Sequence, residues 1–298
     1  MSMRIGLSLP TMLAGIDGAT VRDWCHRIEG DGYDSIGFGE RIAYHNLELF
    51  SVLATAAAVT ERVRIMSTVV VLPMHSEVWI AKQSATMHVL SDGRYTLGVG
   101  VGGRSGDYRA LERDDRRRFE RLDRQVGRIR SVWAGEPVAT DDGTGGDPVG
   151  PRPAAGAIPI LSAAMGPRSL ERSAHWADGI AGFELDPSTE SLRGTRQRVD
   201  SAWEQAGRTD APYRMTSFWF GLGHDGPARL HAYAADYLGV FGEATAHSMA
   251  DLCTASSADA VLAAIDAAEE LGFDEIQLVP TTTDLAELDR LNEVIARR

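Results

Sequence analysis

Three groups of residues could do chemistry by their type and spacing. Glu40 and Arg41 follow the short run SIGFG and would pair an acid with a clamp for an anion. An exposed ion pair reads the same way, and on these two residues alone that plainer reading prevails. His75, in VLPMHS, would suit proton donation by its residue type, although an ordinary loop histidine accounts for it slightly better. The second group is the glycine run in SDGRYTLGVGVGG, which puts Gly100, Gly102 and Gly103 at the end of a β-branched stretch. A strand that ends in glycines lets another backbone or a ligand come close. Its spacing is not GxGxxG, so it makes a weak dinucleotide fingerprint. The third is LSAAMGPRSLERSA, where a strand stops at Ser162 and a helix opens near Pro167. Amides at such a positive helix end would hold a phosphate, with Arg168 and Ser169 at hand. Every helix has such an end, so spacing alone favours a plain helix start.

These residues must be positioned by something, and the chain alternates short apolar runs with longer amphipathic ones. Strands are expected at 4–9, 35–38, 63–72, 94–101, 158–162, 179–182, 215–221 and 275–279. Helices are expected at 19–29, 47–59, 77–90, 116–133, 167–176, 189–206, 227–240, 258–271 and 285–296. Pro167 and Pro227 suit first turns, Ser256 and Ser257 offer capping oxygens, and Gly272 suits a helix stop. Eight strands alternating with helices predict one α/β domain over residues 1–298, a (β/α)8 barrel, with a doubly wound sheet as the rival. In a barrel, reactive groups follow the C-terminal strand ends, which puts Glu40, Arg41, His75 and Glu184 on one face. Trp219 and Phe220 end a strand and would form either a ring-shaped wall or core. Polar groups are sparse at these ends, which suits a flat cofactor better than a hydrolytic triad.

The sequence has 298 residues and a net charge of -12, which argues against nucleic acid and anionic membranes as partners and for a small molecule. Cys25 and Cys253 stand apart from any histidine cluster, so neither disulfides nor a metal site is expected. The opening MSMRIGLSLP lacks a signal-peptide pattern and no apolar run approaches membrane length, which predicts a cytoplasmic protein. Lys82 is the sole lysine among 30 basic residues, a skew that points to a GC-rich source. The stretch DDGTGGDPVGPRPAAG, residues 141–156, can form no regular element and reads as a surface excursion that leaves open whether it closes over a ligand.

The run STVVVLPMHSEVWIAKQSATMHVLSDGRYTLGVGVGG resembles the third and fourth strands of the bacterial luciferase-like flavin and deazaflavin oxidoreductases. IGLSLP, GYDSIGFGER, PILSAAMGPRSLERSAHWADG and LGFDEIQLVP extend the resemblance, in order, over nearly the whole chain. It implies a TIM barrel with loop insertions that binds coenzyme F420 or FMN over the strand ends. It also implies a non-prolyl cis peptide at Thr68-Val69 beneath the ring, a phosphate region at Ala163, Ala164, Met165, Gly166 and Ser169, and close approach of the ring at Gly100, Gly102 and Gly103. Many relatives place a histidine where Arg41 stands, and a glutamate or tryptophan where Gly103 stands. The usual acid and base roles therefore do not carry over, and Arg41 would instead neutralise a substrate or cofactor anion. The function implied is F420-dependent hydride transfer with an unidentified organic substrate. The alternatives are an FMN-dependent monooxygenase, whose pocket must exclude water, and a cofactor-binding protein without turnover. A homodimer formed through barrel helices is implied as well.

Overall fold

A computed structural model describes residues 2–10, 12–138, 146 and 148–298. Its strands are β1 (Arg4–Ser8), β2 (Ser35–Phe38), β3 (Arg64–Ser67), β4 (Val70–Val71), β5 (Tyr95–Gly100), β6 (Ile160–Ser162), β7 (Gly179–Ala181), β8 (Tyr213–Phe220) and β9 (Glu275–Pro280). All pair in parallel, and the β1–β9 and β3–β5 pairings close the ring into a TIM barrel of eight staves. The third stave was expected as one strand over 63–72. It is two, because β3 pairs with β2 and β5 whereas β4 pairs with β5 alone. The break falls at the Thr68-Val69 peptide, which is cis.

The helices are α1 (Gly18–Gly30), α2 (Leu49–Val59), α3 (Glu77–Leu90), α4 (Ser105–Ala110), α5 (Arg118–Trp133), α6 (Pro167–Ser173), α7 (Thr189–Gln205), α8 (Gly226–Leu238), α9 (Glu243–Ala250), α10 (Ala258–Glu270) and α11 (Ala286–Ile295). α1 buries Val21, Trp24, Cys25 and Ile28, one face at helical spacing. The Asp17 side chain accepts from the Thr20 amide at 2.8 Å to start it. Ser257 caps α10 in the same way at 3.2 Å, and Gly272, at φ +73°, follows its end. α4 and α9 were not expected. α4 is one short turn and a half, and α9 buries only Ala246 and Ala250, so neither shows a periodic apolar face.

Outward-facing strand residues, among them Leu7, Ile36, Phe38, Leu97, Phe218 and Leu278, are fully buried beneath the helices. Each such side chain contributes about 1.5–3 kcal/mol by leaving water. Inside the barrel Met66, Leu161, Ala181 and Met215 pack together. Below them, at the N-terminal ends of the strands, Glu275 is wholly buried and accepts from Tyr213 Oη at 2.6 Å, from Arg64 and from Ser35. A buried carboxylate is tolerable only when paired in this way. Among the described residues no helix is long and apolar enough to cross a membrane.

The connection from α5 to β6 leaves and rejoins at the N-terminal end of the barrel. Residues 139–145 and 147 lie outside the described residues. Arg152 to Gly156 border a cavity of about 630 Å³ with Arg130, Trp133 and Asp178, at the end opposite the C-terminal mouth. Its described part therefore does not cover the mouth.

Candidate active site

The mouth is built on the broken third stave and its glycine-rich neighbour. Ser67 Oγ donates to the Gly98 carbonyl and accepts from the Gly98 amide, both at 2.9 Å, which clamps β3 to β5 just below Thr68-Val69. A Cβ on Gly98 would stand 2.2 Å from the Ser67 carbonyl oxygen. One on Gly100 would meet Val69 at 2.9 Å, and Gly102, at φ +62°, lies against Val71 at 2.7 Å. These glycines let β5 approach the third stave itself. Gly103 differs, with nothing within 4 Å of the position its Cβ would take.

Beside β5, the Ala163 amide donates to Val99 at 2.9 Å. The amides of Ala164, Met165 and Gly166 have no acceptor among the described residues. Ser169 Oγ donates back to the Gly166 carbonyl at 2.7 Å and closes this loop at the start of α6. Met165 is exposed. Three consecutive free amides in a short loop fit an oxyanion.

Glu40 fills the gap that opens where β4 leaves β2. Its Oε2 accepts from the Val71 amide at 2.7 Å, as a strand carbonyl would, and His75 Nε2 lies 2.9 Å from Oε1 and 3.0 Å from Oε2. The sequence did not show this pairing, because the two residues are 35 apart. Arg41 turns to α4, where its Nε donates to Asp107 Oδ2 at 2.9 Å and the Ala43 amide donates to Oδ1 at 3.0 Å. Burial would raise the Asp107 carboxyl pKa, but Arg41 and the amide outweigh burial and hold it below the usual carboxylate range. The Arg41 Cζ lies 4.4 Å from the centre of the Tyr44 ring, and Tyr44 Oη donates to Asp236 at 2.5 Å.

Glu184, although it follows β7, faces away from the mouth. It accepts from Ser191 Oγ at 2.8 Å and from Thr195 Oγ1, both on α7, and burial raises its pKa. Strand alternation turns Phe183 inward instead, 4.6 Å from the Trp219 ring. Trp219 also packs on Tyr233 at 5.6 Å and Tyr237 at 5.2 Å, forming an aromatic wall, while Phe220 belongs to the outer core. Asp107, Tyr44, Arg104 and Tyr237 were missed from the sequence, because the first lies on the unexpected α4 and the others carry no motif.

A closed parallel barrel with amide donors and an aromatic wall at its C-terminal mouth defines a small-molecule enzyme of the (β/α)8 class. Residues 3–275 match the luciferase-like monooxygenase family, and the chain belongs to it. The pyrimidine monooxygenase RutA of Acinetobacter baylyi is 30% identical over 193 residues, covering 59% of this chain and 50% of the relative. RutA of Yersinia enterocolitica is 29% identical over 192 residues, covering 59% and 51%. The chain thus spans about half the length of these curated relatives. Among solved structures, an F420-dependent secondary alcohol dehydrogenase with an F420-acetone adduct superposes with TM-score 0.82 at 17% identity, covering 99% of each chain. The oxygenating constituent of 3,6-diketocamphane monooxygenase of Pseudomonas putida, with FMN, gives 0.72 at 16% identity and covers 100% of this chain and 98% of its own. Both share the fold.

Proposed function

We propose that the chain is an oxidoreductase that binds coenzyme F420 at the barrel mouth and exchanges a hydride between it and a small organic substrate. The observation that carries this reading is the run of unpaired amides at Ala164, Met165 and Gly166, which follows Ala163, whose Cβ lies 3.3 Å from the position a Gly100 Cβ would take beside Val69. These amides, with Ala163 and Ser169, would hold the phosphate. Thr68, Val69, Gly100, Gly102 and Gly103 would hold the ring. When bound, the coenzyme supplies a carbon that carries a hydride without ready reaction with oxygen. The protein's own work is orientation and charge. Glu40 holds His75 at Nε2, and His75, 21% exposed in its side chain, can exchange a proton with water and with the mouth. Arg41 contributes positive charge beside them. Cys25 and Cys253 are free thiols, which fits a reducing, cytoplasmic setting.

One observation favours a second reading. The curated relatives are named monooxygenases, which supports reduced FMN and oxygen as the reactants. Side-by-side titration of purified protein with F420 and FMN, followed by fluorescence quenching, decides between them. Tighter F420 binding is expected. Preference for FMN would move the reading to oxygen chemistry, and binding of neither would remove the cofactor assignment. Tight F420 binding with no hydride exchange across a panel of alcohols and carbonyls would reduce the chain to a cofactor-binding protein.

A further inference from the structure

Two guanidinium groups at the mouth have hydrogen-bonding capacity that the protein does not use. Arg41 gives its Nε to Asp107, yet its Nη1 is buried with no acceptor among the described residues. Only 9% of the Arg41 side chain is exposed. The Asp107 oxygens are taken by Arg41 Nε and the Ala43 amide, so neither reaches Nη1. Arg104 donates to the Tyr237 carbonyl and forms no ion pair among the described residues. The two cations converge on one ring, with the Arg104 Cζ 4.7 Å and the Arg41 Cζ 5.9 Å from the centre of Tyr237. That ring continues into the wall of Trp219 and Phe183. The other carboxylates nearby are engaged. Asp236 is exposed and holds Tyr44, and Glu40 is held by the Val71 amide and His75.

A buried donor without an acceptor is rare in proteins and calls for a ligand or water. We propose that the substrate is a planar organic oxyanion, its flat part against Phe183, Trp219 and Tyr237 and its carboxylate on Arg41 and Arg104. The planar fork of a guanidinium matches a carboxylate, and Arg41 has an edge left for one. Tyr237 covers both cations, so it is the side chain that gives way as the anion arrives. This assignment rests on the redox reading of the mouth and names its substrate class.

Benzoate and its neutral counterpart benzamide are the probes, titrated into the purified full chain with tryptophan fluorescence as the readout. Benzoate is expected to bind at least tenfold more tightly, with the preference shrinking as salt is added and falling in Arg104→Gln. Arg41→Gln removes half of a buried ion pair, so its melting temperature is checked first. Arg104→Gln breaks no ion pair and keeps the test decisive. Equal binding of the two probes, or an undiminished preference in Arg104→Gln, would overturn the proposal. Displacement of benzoate by inorganic phosphate at equal concentration would assign these arginines to the cofactor's phosphate and overturn it too; no displacement is expected. Failure of F420 and FMN to bind, with the benzoate preference intact, would end the redox reading and leave the anion site standing.

Discussion

At the scale of single residues, the glycines in β5 and just beyond its end separate two roles that look identical in sequence. Gly98→Ala puts a methyl 2.2 Å from a backbone oxygen, which has no flexible side chain to yield. It is expected to cost about 1–3 kcal/mol of stability, read by urea unfolding. Gly103→Ala meets nothing within 4 Å and should leave stability within about 0.5 kcal/mol while weakening F420 binding. Unchanged cofactor affinity in Gly103→Ala would remove that residue from the site. Asp107 makes a pH-dependent contribution. Its folded pKa is depressed, so the stability it adds is present above the ordinary carboxylate pKa and is lost as pH falls through the lower folded value. Asp107→Asn leaves Arg41 buried and unpaired and should cost about 3 kcal/mol at neutral pH. The gap between mutant and parent should narrow below about pH 3.9, measured by unfolding at both pH values. Glycine and arginine types were legible in the sequence; which neighbour each would meet was not, because Val69, Ala163 and Asp107 arrive from other elements.

At the scale of elements, hydrophobic periodicity located every stave and most helices. It missed the interruption of the third stave, since STVVVLP reads as continuous β-branched sequence whether or not both edges are paired. It placed the end of α8 at Val240, two residues beyond the observed Leu238, where Gly239 leads into a turn ending at Gly242 with φ +92°. The loop at residues 163–166 illustrates the opposite case. Its helix start was ordinary by spacing, and only the family resemblance singled it out. The elements around the barrel axis are tied at their N-terminal ends by Arg64 on β3, Tyr213 on β8 and Glu275 on β9. Arg64→Met should therefore destabilise by about 3–5 kcal/mol, because it leaves a buried carboxylate unpaired. Adding Glu275→Gln should recover part of that loss in a double-mutant cycle. Strict additivity of the two substitutions would show that the pair does not act as a unit.

For the whole molecule, the eightfold alternation of strands and helices favoured the barrel over a doubly wound sheet, because right-handed parallel crossovers leave few other closures. Oligomeric state carried no such signature. We propose a homodimer that uses α3, on which Trp79, Val89 and Leu90 are 57%, 58% and 54% exposed, with Trp79 and Leu90 three turns apart along the helix. Light scattering should give twice the 32.2 kDa chain mass, and Trp79→Glu with Leu90→Glu should return the monomer. A monomeric parent protein would dispose of the idea.

The ionic layer of Arg64, Tyr213 and Glu275, with the packed methionines above it, stops the barrel at its N-terminal end. Among the described residues the barrel is in this sense a cul-de-sac, shut at that end, with its doorway at the C-terminal mouth. On the function proposed above, what enters that doorway to react also leaves by it, so a departing product and the next arrival contend for one passage. Turnover would then be paced by clearance of the doorway, and product should act as a competitive inhibitor against substrate.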